Sequence, residues 1–168
     1  MNRIIKSSFL LVLGLLLSCG GKEEKQKEKV QIGQKTKVVV KKETSESNEV
    51  PASKRITLDN KGVGEIKSLT FDATIDSAMV ERGAALFKTN CTACHKTNKR
   101  FIGPNPTGIF ERRSPEWVMN MILDPKLMTE EDQCAKDLLV EFNGAAMANQ
   151  NLTEQQSRDI LEYFRTLK

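Results

Sequence analysis

Histidine is almost missing from this chain. His95 is the only one among 168 residues, so two imidazoles from one subunit cannot ligate the same metal, and a histidine-based catalytic pair lacks its second member. Aromatic residues are also scarce, at 5% with one Trp and one Tyr. The longest apolar run, residues 9–17, falls short of the roughly 20 residues that a membrane-spanning helix needs. There is no second Cys-x-x-Cys, so a four-cysteine zinc site is excluded too. No internal repeat is present.

Against these absences stands one dense stretch, Cys91-Thr92-Ala93-Cys94-His95. Two cysteines two residues apart, followed at once by histidine, form the attachment signature of c-type haem: the thiols tether the porphyrin and the imidazole takes the iron. The competing readings are a thioredoxin-like redox pair, half of a zinc site, or chance. Zinc needs about four ligands, and a thioredoxin-like pair should follow a strand, whereas here a helical pattern leads into the motif. Haem c, one copy and covalently attached, is the cofactor expected.

Residues 1–18 place Arg3 and Lys6 ahead of the apolar run, which is the layout of a secretory signal. Leu16-Leu17-Ser18-Cys19 resembles a bacterial lipobox, which implies cleavage before Cys19 and acylation of that residue. More than one acyl chain anchors a protein stably. The expected location is therefore a bacterial membrane, facing the periplasm or the cell surface. The start of the mature chain, Cys-Gly-Gly-Lys-Glu-Glu, resembles the charged export tag of some Bacteroidetes surface lipoproteins, although a solvated spacer explains it equally simply.

From 19 to 55 the chain is rich in Lys, Glu, Gln, Ser and Thr and has no aromatic residue, a composition that reads as a flexible linker. It carries ten basic and six acidic residues. With signal and linker set aside, fourteen basic residues face sixteen acidic ones over 56–168. The alkaline character of the whole belongs to the tail, and nucleic-acid binding gains no support.

Residues 56–75 read as an extended lead-in or small hairpin around Asp59-Asn60-Lys61-Gly62. A domain over 76–168 then follows. Asp76 is placed to cap a helix, with Ile75 and Val80 as its hydrophobic staple, and Met79, Gly83 and Phe87 recur every four residues. A loop rich in Gly and Pro spans 103–108. Ser114-Pro115 opens a second helix, with Trp117, Val118, Met121 and Ile122 on one face and Asp124-Pro125 as its stop. Ala135, Leu138, Leu139 and Phe142 mark a third helix, closed by Asn143-Gly144. The last carries a capping box, Thr153 with Gln156, and a stripe of Ile160, Phe164 and Leu167.

In this order the residues from about 79 to 168 resemble the monohaem class I cytochrome c family, in a lipoprotein form similar to small cytochromes of Bacteroidetes. The resemblance implies an all-α fold of about four helices around the haem. It also implies a crossing of the first and last helices, with Gly83 and Phe87 against Tyr163 or Phe164, and a Pro104 carbonyl that accepts the second ring N–H of His95.

Four methionines follow the motif at a useful distance. Met121 shares the apolar face of its helix and reads as core, Met119 points off that face, and Met128 sits just before the acidic start of the third helix. Met147 lies in the loop before the last helix, where the family places its axial sulfur, although Ala148 follows it where the family often has proline. Met147 is the expected sixth ligand. Cys134, the fourth cysteine, reads as a small buried hydrophobe.

Lys96, Lys99, Arg100, Arg112 and Arg113 cluster in sequence after the motif and Asp124 to Glu141 is acidic, so a charge dipole steering the domain toward acidic partners is one reading; ordinary solvated faces are the other. The expected function is a monomeric, membrane-tethered one-electron carrier between a redox donor and a terminal reductase or oxidase, not an enzyme. The alternatives are a haem enzyme or gas sensor with an open sixth position, and a cytochrome module of a larger complex.

Overall fold

The computed structural model describes residues 50–168, so the signal segment, Cys19 and most of the linker lie outside the described residues. Five α-helices follow one another: α1 Ser77–Asn90, α2 Pro115–Leu123, α3 Pro125–Glu131, α4 Gln133–Glu141 and α5 Glu154–Phe164. A single 3₁₀ turn, Ile109–Glu111, precedes α2. None of these helices is long and apolar enough to cross a membrane.

Each helix begins where a side chain satisfies its free N–H groups. Asp76 accepts from the amides of Ala78 and Met79 at 2.8 and 3.0 Å. Ser114 accepts from Trp117 N at 3.1 Å with Pro115 as the first helical residue, and Thr153 and Gln156 form the expected capping box. Asn143 and Gly144 adopt positive φ, 57° and 77°, and close α4.

The helix count exceeds the four expected, because Asp124-Pro125 is more than a stop. Asp124 ends α2 and its carboxylate accepts from Leu127 N at 3.0 Å, starting α3 with Pro125 at the tolerated first position. Met128 accordingly lies within α3 and is fully buried, not ahead of a helix. Asp132, rather than the acidic run before it, caps α4 by accepting from Ala135 N at 2.8 Å, and it also accepts from the Trp117 indole N–H at 3.0 Å.

The first and last helices cross as the family resemblance implied. A methyl group placed on Gly83 would lie 2.0 Å from the Asp159 carbonyl oxygen, so only glycine permits this approach. Phe87 packs against Tyr163 and Phe164, each ring centroid 5.6 Å away. Arg82 closes the crossing with two bonds to Asp159, 2.8 and 2.9 Å. Glu162, 1% exposed, accepts from Arg158 at 2.8 Å, Arg165 at 2.6 Å and the Asp76 amide at 3.0 Å.

Residues 50–75 form no hairpin. They wrap the helices as an extended strap, because polar side chains on α2 and α4 take the place of a partner strand. Asn120, 2% exposed, accepts from Ile66 N and donates to the carbonyls of Lys61 and Ile66, all at 3.0 Å. Asn60 donates to Asp132 at 2.8 Å, Arg55 pairs with Asp137 at 2.6 Å and Ala52 is 4% exposed. The packed chain thus includes Ala52, inside the stretch read as linker to 55; its composition could not reveal contacts made by its backbone.

Replacing Gly83 with Ala should destabilise the protein by roughly 3 kcal/mol, the upper end of overpacking costs, since the obstacle is backbone and cannot rotate away; urea unfolding will measure it. The Arg82 guanidinium, by hydrogen bonding, holds the Asp159 carboxyl below its usual range. A depressed carboxyl stabilises the fold above its unfolded value and loses that contribution as pH falls through the folded one. Acid titration should therefore show wild-type stability falling more steeply below about pH 4 than that of Asp159→Asn.

Candidate functional site

The Cys91–His95 segment is a tight turn on the end of α1. Cys91 N donates to Phe87 O at 2.9 Å, and the amides of Cys94 and His95 both return to Cys91 O, at 3.0 and 2.8 Å. The helix thus presents two thiols and an imidazole from a fixed base. Gly103 N donates to Cys94 O at 2.9 Å, which lays the Gly-Pro loop over the imidazole. A methyl on Gly103 would meet the His95 ring at 2.5 Å.

His95 Nδ1 lies 2.8 Å from the Pro104 carbonyl oxygen. A carbonyl only accepts, so Nδ1 carries the proton and Nε2 keeps its lone pair free for a metal. Such a bond also fixes the plane of the ring and raises its basicity as a ligand. The loop is itself held: Thr107 Oγ1 donates to Thr97 O at 2.5 Å, and Gly108 N donates to Leu167 O at 3.0 Å, tying it to the chain after α5.

His95 faces a cavity bounded by α1, α2, α4, α5 and the Gly-Pro loop. Cys91, Phe87, Trp117, Ile160 and Phe164 are among its walls, so its surroundings are mainly apolar. Burial, with the neighbouring Cys94 second, pushes the Cys91 thiol up to about 11. That opposes the thioredoxin-like reading, because redox-active cysteines work as thiolates. Among the described residues no three His, Cys, Asp or Glu side chains converge as a zinc cage requires. The lone-pair nitrogen, the adjoining thiols and the apolar walls all fit haem.

Of the four candidate sulfurs, the cavity receives two. Met121 and Met147 line it. Met119 points off the face that lines the cavity, as expected, but it is buried all the same, 2% exposed, and borders a different hollow beside Ile66 and Leu69. Met128 is fully buried beneath the strap, where its sulfur accepts from Val63 N at 3.1 Å. Met147 stands in the loop between α4 and α5, and Asn149 anchors that loop by donating to Leu123 O at 3.1 Å.

Residues 80–168 match the family model for cytochrome c. The chain belongs to the cytochrome c family. It is similar to a cytochrome c from Rhodothermus marinus, with 39% identity and a TM-score of 0.60 over 62% of this chain and 89% of that one. It is also similar to an engineered cytochrome c from the same organism, Rma TDE, with 38% identity and a TM-score of 0.60 over 62% and 90%. A form of that engineered protein bound to a carbene intermediate aligns with 38% identity and a TM-score of 0.57. No curated protein matches the chain.

As a member of this family the protein carries a covalently attached haem c, and Cys91 and Cys94 supply the attachment pair. The all-α cytochrome fold expected from the sequence is the one observed, with one helix more. The suggested basic patch loses one member. Arg113 is 2% exposed and donates to the carbonyls of Ala52, Arg55 and Arg112, while Arg112 donates to those of Asn105, Thr107 and Gly108. Arg100 pairs with Glu141 at 2.6 Å. These guanidiniums organise loops around the cavity; Arg113 leaves the proposed steering face altogether, while Arg100 is exposed beside Glu141 and Arg112 is half-buried. Cys134 is 4% exposed and burial raises its thiol, as a packed small hydrophobe should be.

Sequence reasoning missed Gly103, whose lack of a side chain makes room for His95. Its place immediately before the proline was the available signal. Gly103→Ala should force the imidazole off the Pro104 carbonyl, and purified protein should then contain several-fold less haem per chain by pyridine haemochrome assay; full occupancy would contradict this reading.

Proposed function

We propose that this protein is a membrane-tethered one-electron carrier whose haem is held by Cys91 and Cys94 and ligated by His95 and Met147. The observation that carries the proposal is the His95 Nδ1–H bond to the Pro104 carbonyl, with the free Nε2 on a cavity that Met147 also lines. The haem, when bound, supplies one reversible electron.

The protein's own groups do the rest. Pro104 keeps the His95 proton on Nδ1 and strengthens the ligand nitrogen. The Met147 thioether favours the ferrous state and so raises the reduction potential. With His95 and Met147 both holding the iron, no position would be left open to a substrate, and the haem would exchange an electron with little rearrangement of the protein around it. Met121 reaches the same cavity from α2, but it sits on a helix packed into the body; Met147 comes from a loop that can place its sulfur.

The export signal and Cys19 support a lipid anchor on a bacterial membrane, facing the periplasm or the cell surface. A charged tether raises the local concentration of partners while letting the domain turn between them. The partners this reading implies are a redox donor at the membrane and an acceptor that is a respiratory reductase or oxidase, met by a monomeric carrier.

In the ferric protein a weak long-wavelength sulfur-to-iron charge-transfer band should be present. Met147→Ala should abolish it and Met121→Leu should leave it. The opposite result moves the sixth ligand to α2; a band absent from wild type, with carbon monoxide binding to the native protein, replaces the carrier with a gas-binding or peroxidase-like haem protein.

A further inference from the structure

The strap's first residues reach the cavity. Ser53 is part of its wall, yet it lies ahead of the segment 80–168 that the family model covers. Its seating is specific. Ser53 N donates to Glu141 Oε2 at 2.7 Å and Ser53 Oγ to Oε1 at 2.6 Å. Arg100, from the segment after His95, donates to the same Oε1 at 2.6 Å and to the Glu141 backbone carbonyl at 2.5 Å. Its guanidinium stacks on Phe142, 3.9 Å from the ring centroid, and Phe142 lines the cavity as well.

One carboxylate, at the end of α4, therefore joins three pieces of cavity wall: the strap, the segment after the haem motif and the helix end that leads to the Met147 loop. Arg113 adds a second clasp by donating to the carbonyls of Ala52 and Arg55. Both clasps are made by charged groups on neutral partners of the strap, where each hydrogen bond is stronger than a neutral pair.

We infer that Glu141 is a positioning residue that seats residues 51–55 as an edge of the haem cavity, and that this edge sets how far the haem is shielded from water. The inference rests on the haem reading above. Burial is one of the levers by which a protein sets a haem potential, since a low-dielectric surrounding disfavours the extra positive charge of the ferric state.

The test uses the full chain with haem attached. Glu141→Gln keeps the shape but turns an amide donor toward Ser53 or Arg100. Ser53→Pro removes the amide donor and the hydroxyl together, and Ser53→Thr retains both. In Glu141→Gln, exchange of the Ala52 to Arg55 amides should quicken at least tenfold, and the reduction potential should shift downward. Ser53→Pro should shift the potential the same way and Ser53→Thr should not. The sulfur-to-iron band should persist in all three, which keeps this result separate from loss of Met147 ligation. Unchanged exchange in Glu141→Gln, or a potential equal to wild type in both Glu141→Gln and Ser53→Pro, overturns the inference. So does a shift confined to variants whose band is lost, or exchange that quickens equally in the amides of α1 and α5, because either is a general loosening of the fold.

Discussion

The close approach of α1 and α5 at Gly83 is the constraint on which the other contacts depend. With the Asp159 backbone where a methyl would stand, the two helices fix the angle at which Phe87 meets Tyr163 and Phe164. The same crossing sets the position of the α1 end, and with it the turn that carries Cys91, Cys94 and His95. Arg82 and Asp159 close it at the rim, and Glu162 draws Arg158, Arg165 and the start of α1 together behind it. A site made of a short turn thus inherits the rigidity of two packed helices.

Buried polar groups hold the remainder in register. Asn120 presents to the strap the donor and acceptor pattern of a peptide group, which lets extended chain lie on a helical surface without a neighbouring strand. Asp132 serves helix start, indole and Asn60 at once. Such groups are acceptable inside a protein only when their hydrogen bonds are nearly all made, and here they specify where the strap must lie rather than merely adding stability.

Much of this was legible in the sequence. The caps at Asp76, Ser114 and Thr153, the closing Asn143-Gly144 pair and the Gly83/Phe87 crossing all follow from local chemistry or from the family order. The haem stretch was legible because Cys-x-x-Cys-His packs its chemistry into five adjacent residues. What escaped was non-local or ambiguous in one dimension. Pro125 looks the same whether it ends one helix or begins another, and only the Asp124 carboxylate turning onto Leu127 N decides it. The guanidiniums of Arg112 and Arg113 read as a charged surface because sequence does not show the carbonyls that enclose them. Ser53 and Glu141 are 88 positions apart, so nothing in either neighbourhood announces the other.

The separation of those contacts also has a kinetic meaning. Ser53 to Glu141 closes 88 residues, Asn60 to Asp132 closes 72 and Ile66 to Asn120 closes 54. Each such closure carries an entropic cost that grows with loop length and is repaid only when the distant surface already exists. The strap's polar contacts are made to surfaces that α2 and α4 supply, so it can dock only once those helices have formed. The first stretch of the domain to leave a ribosome has to wait for the chain that follows it.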